Sequence, residues 1–96
     1  MSAIAVLRDE YPGDAAWQRF VSVFRAEWAE RTNRPYFMAT IGDEDVAIVL
    51  AASLGERAIA WFKTPIGALD KRTPAEVQKL PAGNRILRTL LMRMPR

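Results

Sequence analysis

Residues 61–77 read WFKTPIGALDKRTPAEV, and they decide the architecture because they hold two helix boundaries separated by a short basic loop. Thr64-Pro65 ends whatever helix carries Trp61 and Phe62, since a proline ring disfavours helical geometry in the residue before it. Thr73-Pro74-Ala75-Glu76 then restarts a helix. Thr73 accepts from an unpaired first-turn amide, Pro74 sits where no amide hydrogen is needed, and Glu76 bonds back to the cap. Capping boxes of this form are common, so the motif by itself marks a helix start and no function.

Downstream, residues 73–80 read as a short capped helix that Pro81 breaks. A last helix starts between Pro81 and Asn84 and runs to about Met94. Its Ile86, Leu87, Leu90, Leu91 and Met94 form one stripe, while Arg85, Arg88, Met92 and Arg93 occupy the other side. Upstream, residues 56–63 read as a two-turn helix with Ala58, Ile59 and Phe62 on one face and Trp61 well away from it. Residues 46–54 are apolar nearly all round, as expected of a central helix. Asp43, Glu44 and Asp45 suit the positive end of its dipole, and Gly55 is a plausible stop. A buried strand through residues 46–50 is the competing reading.

Residues 36–41 admit either an extended stretch or a short helix, and residues 31–35 read as a loop. Residues 14–30 give the clearest amphipathic pattern, with Trp17, Phe20, Val21, Phe24 and Trp28 on a single stripe. One continuous helix is expected there, with its aromatic face in the core. The first dozen residues do not decide between readings; one is a short helix capped by Ser2 and ended by Tyr11-Pro12-Gly13. The class is therefore all-α, a small bundle of about five helices. Residues 1–45 are expected to form an N-terminal helical segment for dimerisation or a degenerate DNA-binding region, and residues 46–96 the main domain.

The 96 residues carry no cysteine and no histidine, which removes disulfides, Cys/His zinc sites and Ser-His or Cys-His nucleophilic catalysis. Carboxylate, Lys and Tyr chemistry remains formally open, but nothing spaces such groups into a site. No enzyme activity and no cofactor are expected. No run of about 18 uncharged apolar residues is present, so no membrane span is expected. The start, MSAIAVLRDEYPG, lacks the basic and long apolar regions of a secretory signal, and a cytoplasmic location is expected.

The formal net charge of +3 hides an asymmetry. Residues 1–48 hold five basic and eight acidic side chains, and residues 49–96 hold nine and three. A one-sided balance of this kind implies an anionic partner or a pairing of the two halves; a solvated helix face is the plainer alternative. Arginine on the last helix suits carboxylate and phosphate partners because its planar fork donates two parallel hydrogen bonds. Met92 on the same side favours a protein partner, since methionine adapts to irregular surfaces. Trp61 is either buried against another helix or an interface anchor, and Lys63, Lys71 and Arg72 either keep the loop soluble or join that interface.

Taken together, Ala58-x-x-Trp61-Phe62-x-Thr64-Pro65, Ala68-Leu69, Thr73-Pro74-x-Glu76-Val77, Gly83, Ile86, Leu90 and Arg93 resemble the toxin-binding domain of the Xre/MbcA/ParS antitoxin family. The resemblance covers about Ala47 to Met94. The family usually has a glycine where Lys71 stands. The resemblance implies an antitoxin of a type II toxin-antitoxin system that neutralises an NAD-consuming RES-domain toxin by occluding its active site. The toxin-facing surface it implies lies on the last helix and its end: Arg85, Arg88, Met92, Arg93 and Arg96. With Trp61, Lys71 and Arg72 these form the candidate toxin-binding set. A homodimer is the expected oligomer. Two rivals remain: a DNA-binding transcriptional regulator, because family members often carry an N-terminal helix-turn-helix, and an orphan protein-interaction domain.

Overall fold

A computed structural model describes residues 2–94 of the chain. Helices account for 73% of it and no strand is formed among the described residues, in agreement with the all-α expectation. In chain order the helices are α1 (Ala3–Asp9), α2 (Asp14–Ser22), α3 (Arg25–Glu30), α4 (Arg34–Ile41), α5 (Glu44–Leu54), α6 (Ala58–Phe62), α7 (Pro74–Gln78) and α8 (Gly83–Arg93). Five of them have at least seven residues. The Cα radius of gyration, 12.7 Å, is what about 100 residues packed as one body give.

Helix α5 is the central element, and its sequence says why. Residues 46–51 are all buried, so the helix presents apolar side chains in every direction and every neighbour packs onto it. Asp43 accepts from the Val46 amide at its start and Gly55 closes it at φ 56°. Trp17, Val21, Trp28, Phe37, Ile41, Ala58, Phe62 and Leu91 complete the cluster around it. Residues on both sides of position 46 therefore share one core. A second, smaller cluster joins Leu7 of α1 to Leu69, Val77, Ile86 and Leu87.

The single helix expected over residues 14–30 is in fact two. The Val23 and Phe24 amides bond three residues back, to Phe20 and Val21, and the Ser22 hydroxyl donates to the Arg19 carbonyl at 2.7 Å. Such back-bonding by serine competes with the regular ladder and bends a helix. The bend brings Phe20 and Phe24 edge to face at 5.3 Å and leaves Val23 73% exposed. Residues 34–35, expected in a loop, open α4 instead, because Pro35 in a first turn loses no hydrogen bond. The undecided stretch 36–41 is helical, and burial of Phe37 and Ile41, four residues apart, accounts for it.

The capping box at Thr73 forms in full. The Glu76 amide donates to Thr73 Oγ1 at 3.1 Å, and the Thr73 amide donates to Glu76 Oε1 at 3.0 Å. The backbone and hydroxyl of Thr73 hold the Glu76 carboxyl below the usual carboxylate range, with Arg72 and Lys79 assisting. Thr73→Ala is expected to destabilise the protein by about 1 kcal/mol, measured by thermal melting. Because the Glu76 pKa is depressed in the folded state, its contribution is complete above the ordinary carboxylate pKa and disappears as pH falls through the lower, folded one. The difference between wild type and variant should therefore narrow in acid.

Candidate functional site

The basic residues singled out in the sequence fall into two groups, and α1 separates them. The carboxylate of Asp70, in the loop between α6 and α7, accepts from the Ala3 and Ile4 amides at 3.2 and 3.3 Å. At the other end of α1, Glu10 pairs with Arg93 of α8. Seven helical residues rise about 10 Å, so Lys71 and Arg72 lie roughly a helix length from Arg88 and Arg93.

On α8, the charge is largely answered from within the chain. Arg88 Nη1 donates to the Tyr11 hydroxyl at 3.1 Å and to Asp14 Oδ1 at 3.4 Å, and its guanidinium lies 5.2 Å from the centroid of the Trp17 ring. Its side chain is only 17% exposed. Tyr11 in turn donates to Asp14 at 2.6 Å; burial, then the neighbouring carboxylate, pushes the phenol pKa up. Arg93 pairs with Glu10, each about half exposed. The acidic N-terminal half thus pairs with the basic C-terminal half at these two points, one of the outcomes the charge asymmetry allows. Met92 and Trp61 are half-buried and pack against the main core.

The consequence for mutagenesis is asymmetric. Arg88→Glu places a carboxylate beside Asp14 and over the Trp17 ring, so it is expected to destabilise the free protein. Arg93→Glu, in an exposed pair, should change stability by no more than about 1 kcal/mol, and thermal melting of the two variants checks the contrast. Arg85 is exposed on α8. It lines an open polar cleft with Arg8, Asp9, Tyr11, Gly13 and Asp14. Arg96 lies outside the described residues.

The loop group is different. Residues 66–72 close on themselves: the Ile66 amide donates to the Arg72 carbonyl at 3.0 Å, and the Ile66 carbonyl accepts from Leu69 and Lys71 at 2.9 and 3.0 Å. Leu69 is fully buried and pins the turn to the second cluster. Two successive non-glycine residues, Asp70 at φ 55° and Lys71 at φ 64°, adopt the left-handed conformation. Each costs of order 1–2 kcal/mol. For Asp70 the α1 cap offsets it. Lys71 is exposed, as are Lys63, Arg72 and Lys79, and none of the four forms an ion pair among the described residues.

Asp70 as an α1 cap, and Glu10 and Asp14 as partners of α8, are roles the linear sequence did not suggest. Each links positions more than 60 residues apart, and no local spacing reports such a pairing. Arg31 lies in the loop expected there, and its side chain donates to the Ala51 carbonyl at 2.8 Å and lies over Phe37. Comparison with family models, with curated proteins and with solved structures finds no match.

Proposed function

We propose that this chain is an antitoxin, a protein that binds an NAD-consuming RES-domain toxin and covers its active site without chemistry of its own. The observation that carries the reading is the backbone at Lys71. Its φ of 64° is the geometry that glycine adopts freely, and glycine is what the resembled family has at this point. A turn built for glycine, set between the Trp-Phe-x-Thr-Pro and Thr-Pro-x-Glu boundaries, supports the resemblance in a way that composition alone does not. Steric blocking asks only for a stable scaffold with an accessible face. A chain without histidine or cysteine that clamps its own fold through α5 suits that task.

A cytoplasmic site of action and a homodimer belong to the same proposal. The proposed self-association contact is placed at the exposed Val23, beside the half-buried Phe20 and Phe24. The test is co-expression with any RES-domain protein found encoded beside this chain. The antitoxin is expected to restore cellular NAD and growth, and to co-elute with the toxin in size-exclusion chromatography. Continued NAD depletion with both proteins present and folded would end the reading.

A further inference from the structure

We infer that the closed turn 66–72, with Lys63 just before it and Lys79 at the end of α7, is a docking surface for an acidic protein face, and that Lys71 is its central residue. The inference starts from a left-handed backbone that closes the turn through the Lys71 amide yet carries a lysine side chain the fold does not use. Lys71 sits in a conformation that glycine or asparagine takes more easily. Its side chain is exposed and forms no ion pair among the described residues. Stability alone favours glycine here. The turn's hydrogen bonds require the backbone conformation at this position but not a lysine, and a lysine side chain kept there with no ion pair inside the molecule points to a use outside.

The surroundings define the partner. Lys63 and Arg72 lie in or beside the same turn, and Arg72 and Lys79 both act on the Glu76 carboxyl, so they share its neighbourhood. These cations remain available, whereas Arg88 and Arg93 on α8 are engaged by Tyr11, Asp14 and Glu10. The turn is internally bonded and anchored by buried Leu69, so its backbone adds little ordering cost on binding beyond that of the side chains. Its chemistry favours protein carboxylates over a phosphate backbone. Asp70 and Glu76 interrupt the positive charge, and the adjacent helix α7 has only five residues, too short to act as a groove-reading helix.

The inference deepens the antitoxin reading and rests on it only for the identity of the partner; the surface itself is tested without any toxin. The full chain, labelled with nitrogen-15, is titrated with a poly-glutamate peptide at ~50 mM salt, where exposed charge contacts are only partly screened. Amide shifts are expected at residues 63–72 and 79, with α8 residues 88–93 unmoved. Lys71→Gly is expected to raise the melting temperature and yet weaken the peptide roughly threefold, the effect of one exposed charge contact. That opposition of signs is one that a merely structural lysine does not produce.

Shifts centred elsewhere, unchanged peptide affinity in Lys71→Gly, or a lower melting temperature for that variant would each overturn the inference. So would a DNA duplex that binds the same residues more tightly than the peptide and weakens with salt at a log–log slope near −0.9 per phosphate. Loop shifts without toxin neutralisation leave the surface standing and remove the antitoxin reading. Neutralisation without loop shifts does the reverse.

Discussion

Trp17→Ala is expected to remove a large share of the stability of this protein. The indole is completely buried and touches three parts of the fold at once. It packs against Phe20 at 6.0 Å between centroids, lies under the Arg88 guanidinium of α8, and donates from Nε1 to Asp45 Oδ2 of α5 at 3.3 Å. Truncating a buried Trp to Ala costs about 3–5 kcal/mol in transfer and cavity terms. A chain of this length has only about 5–15 kcal/mol in total. The loss should exceed the simple cavity figure, because Arg88 would keep its partly buried charge without the ring that covers it, and its Nε is already buried with no acceptor. In a domain of this size each kcal/mol moves Tm by about 4–8 °C, so Tm should fall by more than ~12 °C. Trp17→Phe, which keeps an aromatic ring beneath Arg88, should lose clearly less. A melting curve for Trp17→Ala within a few degrees of wild type, followed by far-UV circular dichroism, would refute this account of the core.

Gly83→Ala is the second large effect, and its sign separates two arguments. Helix propensity favours alanine over glycine by up to about 1 kcal/mol, less at a first helical position such as this one. Packing argues the other way. A Cβ at position 83 would stand 2.2 Å from the Val77 carbonyl oxygen and 3.0 Å from that of Gln78. Those oxygens belong to the last turn of α7, where the Val77 carbonyl already accepts from the Leu80 amide and the Glu76 carbonyl from that of Lys79. Unlike a flexible side chain, this backbone cannot swing aside without breaking the turn that joins α7 to α8. Overpacking of this kind costs about 1–3 kcal/mol and more when the obstacle is rigid, so net destabilisation of about 2 kcal/mol or more is expected. The second cluster, in which Val77 meets Ile86 and Leu87, should loosen with it. An alanine variant as stable as wild type in urea unfolding would show that α8 does not approach α7 this closely.

Several elements were readable in residue spacing because their causes are local. The capping box at Thr73, the Ser2 cap, the acid-led start and glycine end of α5, and the α8 stripe all come from interactions within a few residues. Periodicity over residues 14–30 correctly marked Trp17, Val21 and Trp28 as buried. It missed the bend at Ser22 because the apolar register continues through it with neither glycine nor proline to mark it. Residues 36–41 were ambiguous because a short helix with two buried side chains, Phe37 and Ile41, carries too little pattern to distinguish it from a strand.

For the candidate surface, the sequence supplied residue types and the fold sorted them. Arg88 and Lys71 look alike as cations in a basic half-chain. One lies over Trp17 between Tyr11 and Asp14, and the other stands exposed on a left-handed backbone.

The sequence by itself determined that this is an all-α chain, where most of its helices start and stop, and that its charge is divided between its halves. Caps, breakers and hydrophobic period act over one or two turns, within reach of linear reading. Only the tertiary structure decided which charges are spent inside and which face outward, since those pairings join α1 and α2 to α8 and the α6–α7 loop across most of the chain. Their energies depend on burial and distance, which exist only once the core around α5 has formed.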